Sequence, residues 1–245
     1  GNRFEANTKT GIVIREAYQN QILGNNLQGN LGSGLDIRKA EGNQVEANTI
    51  TASGAHGVIL SDSAKQNFFL RNTIQNNKSY GIGLSGATPT GNRWSQNLIF
   101  GNGLGGIQSG TQLLSAPVLQ TVTGNSVTGQ AKAGVTVEIF ADNGAQGQFF
   151  VGQTTAGGDG QFTFTSNTGW NAANITAIAV DGTANASPFS AALPAGTIVT
   201  PTLTATPTPT VPATMTATAT ATSSATPTPT GTQTVTACDS YTWID

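Results

Sequence analysis

The chain has 245 residues, only 9% of them charged, with ten Lys/Arg against twelve Asp/Glu and a formal net charge of −2. So low and balanced a charge excludes the electrostatic footprint of a nucleic-acid-binding or membrane-surface protein. No apolar run approaches the roughly 18 residues that a spanning helix needs. The single cysteine, Cys238, excludes an internal disulfide framework and a cysteine-based metal site, and no cofactor or metal is expected.

The chain up to Ile107 is a repeat. Asn2, Asn25, Asn48, Asn72 and Asn97 are each followed, nine positions later, by Gly11, Gly34, Gly57, Gly81 and Gly106, and the phrase recurs at a nearly constant interval. An apolar residue stands two places after each asparagine (Phe4, Leu27, Ile50, Ile74, Ile99), and another follows each glycine (Ile12, Leu35, Val58, Ile82, Ile107). A third station, Asn-x-apolar, supplies Ile22, Val45, Phe69 and Trp94. Period-2 alternation in short stations predicts strands and no helix. A fixed period with three strands per turn predicts a solenoid whose equivalent strands stack in parallel, about 4.8 Å apart. The aligned apolar residues then form interior ladders. Asparagines are expected at corners, where they tolerate left-handed angles and bond rung to rung. The glycines are expected at corners too tight, or of positive φ, for a side chain.

On Asn48-Thr49-Ile50 with Gly57-Val58-Ile59-Leu60, and on Asn72-Thr73-Ile74-Gln75-Asn76-Asn77 with Gly81-Ile82-Gly83-Leu84, residues 1–115 resemble the right-handed parallel β-helix repeats of bacterial secreted proteins, the pectate-lyase-like architecture. The resemblance implies an all-β fold of about five coils. The chain opens at a station-one asparagine with no preceding strand, so the segment reads as part of a longer protein whose first coil is truncated.

Residues 116–193 change character. Val135, Val137 and Ile139 alternate with polar residues, as do Phe162 and Phe164; Phe149-Phe150-Val151 and Ile175 to Val180 add further strands, separated by turns such as Asp142-Asn143-Gly144. Roughly seven short strands in about 80 residues predict a β-sandwich. On Ala116-Pro117-Val118-Leu119, Val135 to Ala141 and Ile175 to Asp181 it resembles the bacterial Ig-like domains of exported proteins. Residues 194–236 are almost wholly Thr, Pro, Ala and Ser, which predicts a disordered, extended linker open to O-glycosylation. Residues 237–245 resemble the start of a further surface-protein repeat.

Enzymes of the resembled architecture carry acids, often with Lys or Arg, on outward columns of one sheet. In register, one outward column holds Asp36 and the next holds Glu16, Lys39 and Asp62, with Arg15 and Arg38 beside it. Glu16 and Asp62 stand two rungs, about 10 Å, apart. That exceeds the spacing of paired glycosidase carboxyls, although side-chain flexibility narrows the gap. The candidate catalytic residues are therefore Asp36, Glu16, Asp62 and Arg38; the competing reading is an alternating charge ladder. Phe68, Tyr80 and Phe100 are expected to point outward as a sugar-contacting surface, with Arg15 available to an anionic sugar. Trp94 aligns with core residues. His56, the single histidine, is expected at a solvated corner.

Two functions follow from this reading. The first is a non-catalytic, monomeric, secreted or cell-surface bacterial module that binds polysaccharide or cell-surface glycan, or displays neighbouring domains. The second is a polysaccharide lyase or glycoside hydrolase.

Overall fold

The computed structural model describes residues 1–86, 90–110, 113–182 and 185–196. The linker from 197 onward and the C-terminal module lie outside these residues.

Three parallel sheets form the coils. The first stacks Arg3–Glu5, Asn26–Gln28, Thr49–Thr51, Thr73–Gln75 and Leu98–Phe100; the second stacks Ile12–Arg15, Leu35–Arg38, Val58–Ser61, Tyr80–Ser85 and Gly105–Ile107; the third stacks Gln21–Leu23, Gln44–Glu46, Phe68–Leu70 and Arg93–Ser95. The chain visits them in rotation, which makes a solenoid of four complete turns and a fifth that supplies two strands. The expected five coils are thus four and a part. One period after Asn92 the sequence has Pro117 in place of the asparagine, so the third station is not repeated there.

The interior ladders are in the predicted register: Phe4-Leu27-Ile50-Ile74-Ile99, Ile12-Leu35-Val58-Ile82-Ile107 and Ile22-Val45-Phe69-Trp94. From the second rung upward these side chains are almost completely buried in one cluster. Burial of apolar area at about 25 cal/mol per Å² makes this stack the main stabilising term.

The corners differ from expectation. The left-handed residue is the one before each asparagine: Ala47 before Asn48, Arg71 before Asn72, Gln66 before Asn67, Gln96 before Asn97, at φ values of 52 to 54°. The asparagines turn inward and form hydrogen-bonded ladders. Asn72 Oδ1 accepts from the backbone N of Asn48 at 2.9 Å and from its Nδ2 at 3.0 Å, while Asn72 Nδ2 donates to Val45 O at 2.9 Å and to Asn97 Oδ1 at 2.8 Å. A second ladder climbs Asn20, Asn43, Asn67 and Asn92, and a third runs through Asn7 and Asn30, then Asn77 and Asn102, with Ser53 on the intervening rung. Each buried asparagine of these ladders is thereby satisfied by its neighbours, as buried polar groups generally are. The repeat glycines have no positive φ but are tightly packed. A Cβ at Gly57 would fall 2.7 Å from Gly81 O and would clash with Ile74 Cγ2.

Beyond the coils, seven strands among the described residues form two antiparallel sheets. Val118–Thr123, Ser126–Gln130 and Gln161–Thr165 make one; Phe149–Thr155, Thr136–Asp142, Asn174–Val180 and Leu193–Pro194 make the other. Val127 and Phe162 of the first sheet share a core with Val137, Ile139, Ile175 and Ala177 of the second. The second sheet also offers Phe140, Ile178 and Val180 to the core of the coils, so coils and sheets belong to one compact unit.

Candidate functional site

The outward face of the second sheet brings the predicted charges together. Glu16, Lys39, Asp62 and Gly86 occupy one left-handed corner, with φ values of 49°, 47°, 49° and 72°. Lys39 Nζ lies 3.7 Å from Glu16. Arg38 lies 3.3 Å from Asp36 through Nη2 and 3.7 Å from Asp62 through Nε, so both aspartates point at one guanidinium. Ser61 Oγ donates to Asp36 at 3.5 Å. Three of the four predicted catalytic residues, Asp36, Arg38 and Asp62, therefore converge, and Glu16 pairs elsewhere. Arg15 is exposed and in register with Arg38.

The same pairing runs over the rest of the coils. Glu41 meets Lys65 at 3.2 Å, Glu5 meets Arg3 at 2.7 Å, and Glu46 meets Arg71. The bond from Arg71, reinforced by Gln44, holds the Glu46 carboxyl below its ordinary value. All six acids of residues 1–115 thus have a cation within ion-pair distance. Among the described residues no group of three His, Cys, Asp or Glu side chains is placed to hold a metal. Glu41 and Lys65, with exposed Tyr18 and Lys39 and half-buried Asp62, line an open groove of about 360 Å³. The sequence reading missed it because the column Tyr18-Glu41-Lys65-Thr90 carries no apolar marker to align on, although its spacing matches the repeat.

The aromatics do not form one surface. Phe68 lies on the third sheet, Tyr80 on the second and Phe100 on the first, each facing a different side of the solenoid. Trp94 is fully buried, as its column predicts, and its Nε1 donates to Ser187 O at 2.8 Å. His56 is not solvated at a corner. It is half-buried, stacks on Tyr80 with ring centroids 6.1 Å apart and planes 7° from parallel, and its Nδ1 has no hydrogen-bond partner among the described residues. Burial pushes its pKa below the usual 6.5.

The junction between coils and sandwich holds the polar groups that the repeat did not foretell. Gln146 supplies the next amide of the third ladder: its Oε1 accepts from Asn102 N and Nδ2, both at 3.1 Å, and its Nε2 donates to Asn102 O at 2.9 Å. Ile99 N donates to Gly147 O at 2.9 Å, and Gly91 N to Asn185 Oδ1 at 3.2 Å. Glu138, on the central strand of the second antiparallel sheet, is 1% exposed. Its carboxylate accepts from Gln96 N at 2.8 Å and from Ser95 Oγ. Burial raises its pKa, while those two bonds and the Arg93 charge oppose the rise. A glutamate within a run of apolar strand residues was the available signal.

Parallel strands in rotation, with an asparagine-laddered interior, define a parallel β-solenoid. The chain belongs to the right-handed β-helix family, whose pattern matches residues 1–168 and so extends beyond the last coil into the antiparallel strands. No curated protein matches the chain.

Proposed function

We propose that the protein is a non-catalytic, extracellular β-helix module that presents neighbouring segments and contacts glycan through its coils. The pairing of every coil acid with a cation carries this reading. A glycosidase sets two carboxyl groups across a bound sugar, one of them serving as the acid. Here Asp36 and Asp62 face one guanidinium instead. The antiparallel unit, read as an Ig-like spacer, shares a core with the coils and so transmits force as one body with them. The Thr/Pro/Ala composition of residues 194–236 suits a stalk at a bacterial cell surface.

Incubating the protein with a panel of neutral and acidic polysaccharides, with retention and reducing-end release assayed in parallel, tests the proposal. Retention without release is the expected result. Release that disappears in Asp36→Asn would establish the lyase or hydrolase reading in its place, and neither retention nor release would remove the glycan from the proposal.

A further inference from the structure

A cavity of about 430 Å³ opens where the last coil meets the sandwich, lined by Tyr80, Leu104, Gln108, Ser109, Ala145 and Phe189 together with the backbone of Gly105 and Gly106. Among the described residues no charged side chain lines it. Its size and its place between two packed units match those of small-molecule sites, which run from about 300 to 1,000 Å³ and combine aromatic walls with a few polar groups.

The stacking along this column shows what fits there. The column reads Ser33, His56, Tyr80, Gly105, one residue per rung. The His56 ring lies over Gly83 of the next rung, so closely that a Cβ there would clash with the imidazole. Tyr80 lies one rung higher and nearly parallel to it, and the next rung offers only Gly105, in register with Tyr80 and without a side chain. A Cβ at Gly105 would stand 3.4 Å from Tyr80 Cε1, and its φ of +133° favours glycine over any other residue. The column therefore has two stacked rings, and its third position is open. Phe189 bounds it on the far side, held edge-on by Phe140 with centroids 5.4 Å apart. Gln108 Oε1 is taken by the backbone N of Leu84 at 2.9 Å, which leaves its amide NH₂ to donate into the cavity, beside the exposed Ser109 hydroxyl.

We infer that this cavity is a binding subsite for an uncharged pyranose residue, which stacks its apolar face on Tyr80 and takes hydrogen bonds from Gln108 and Ser109. The inference rests on the glycan-contacting reading above and gives it a place and a chemistry. A sugar ring supplies both surfaces the cavity offers: C–H groups for the Tyr80 face and hydroxyls for the amide. An acidic sugar would meet no cation among the described lining residues.

Saturation-transfer NMR with methyl β-glucoside, methyl β-galactoside and methyl β-N-acetylglucosaminide, competed against N-acetyltryptophanamide, tests it. Saturation of at least one pyranoside is expected, retained in Tyr80→Phe and weakened about tenfold in Tyr80→Ala, the scale of one lost stacking contact. Ala145→Trp, which adds bulk at an exposed position on the cavity wall, should block binding without disturbing the core, and the melting temperature of each variant checks that. Pyranoside binding that survives both Tyr80→Ala and Ala145→Trp, or displacement by the indole amide in preference to every sugar, would overturn the subsite. If polysaccharides are still retained in that case, the coil reading stands without it; if no pyranoside and no polysaccharide binds, both fall.

Discussion

The coils and the antiparallel sheets are held by different kinds of pairing. In the coils each strand bonds to the strand one period away, and the same kind of side chain recurs from level to level: Ile74 lies between Ile50 and Ile99, and Asn72 bonds to Asn97. In the sandwich the strand Thr136–Asp142 pairs with Phe149–Thr155 on one side and with Asn174–Val180 on the other, in antiparallel registers that follow no sequence period. A periodic stack needs no special contacts inside but leaves open groups at its last rung. The sandwich closes that rung by imitation. Gln146 extends the amide ladder, Gly147 O extends the backbone pairing, and Glu138 and Asn185 accept the N–H groups of Gln96 and Gly91. The cap is thus an irregular fold that presents a regular edge.

Substitutions can separate interior, junction and surface, beginning where the loss should be greatest. Asn72→Ala removes the acceptor of both Asn48 donors and the donor to Val45 O and Asn97 Oδ1, all in a fully buried site. At about 1–3 kcal/mol for each orphaned group, partly recovered by relaxation, a loss of about 4 kcal/mol is expected from urea unfolding. A loss below about 1 kcal/mol would mean that the ladder only fills space. Trp94→Phe keeps an aromatic ring in the core but removes the donor to Ser187 O, and should cost about 2 kcal/mol. If coils and cap are one cooperative unit, its urea transitions by fluorescence and by circular dichroism will remain coincident; two separate transitions would break the comparison at the junction.

Glu138 predicts a pH effect located at the cap. Because its folded pKa is raised, the stability it contributes is fully present below the ordinary carboxylate value of 4.5 and is lost as pH rises through the higher folded value. Acidification from neutrality should therefore strengthen this contribution. Glu46 acts in the opposite sense, its lowered pKa giving stability that is lost as pH falls through the folded value. The difference in melting temperature between the protein and Glu138→Gln isolates the first effect. That difference should shift in favour of the unsubstituted protein as pH falls, and a difference constant with pH would remove Glu138 from the account. At the surface, Asp36→Asn weakens the pairing with Arg38, whose side chain is partly solvated, and should cost less than about 1 kcal/mol. A loss as large as that of Asn72→Ala would show the charge lattice to be structural.

Legibility follows the same division. The three apolar ladders, and with them the inward position of Trp94, were readable because equal spacing forces equal orientation. The third asparagine ladder went unread although it lies five positions after each station-one asparagine, because its Ser53 rung breaks the pattern. The left-handed residues were not, since Ala47, Arg71 and Gln96 share a backbone angle and no side-chain chemistry. The solvated corner expected for His56 fails because its neighbour across the stack, Gly83, belongs to the next coil and makes room only in three dimensions. The pairing of Asp36 and Asp62 through Arg38 depends on rotamers, which spacing does not fix.

By itself the sequence determined the solenoid: a near-constant period with three apolar stations dictates which side chains stack, because parallel strands in register repeat one environment at every rung. Only the tertiary structure decided how the stack ends and where its cavity lies. Those features join Tyr80, Gln108 and Phe189, or Ser95 and Glu138, across separations that no repeat encodes. Local periodicity constrains contacts one period apart, whereas the meeting of a periodic fold with an aperiodic one is set by packing alone.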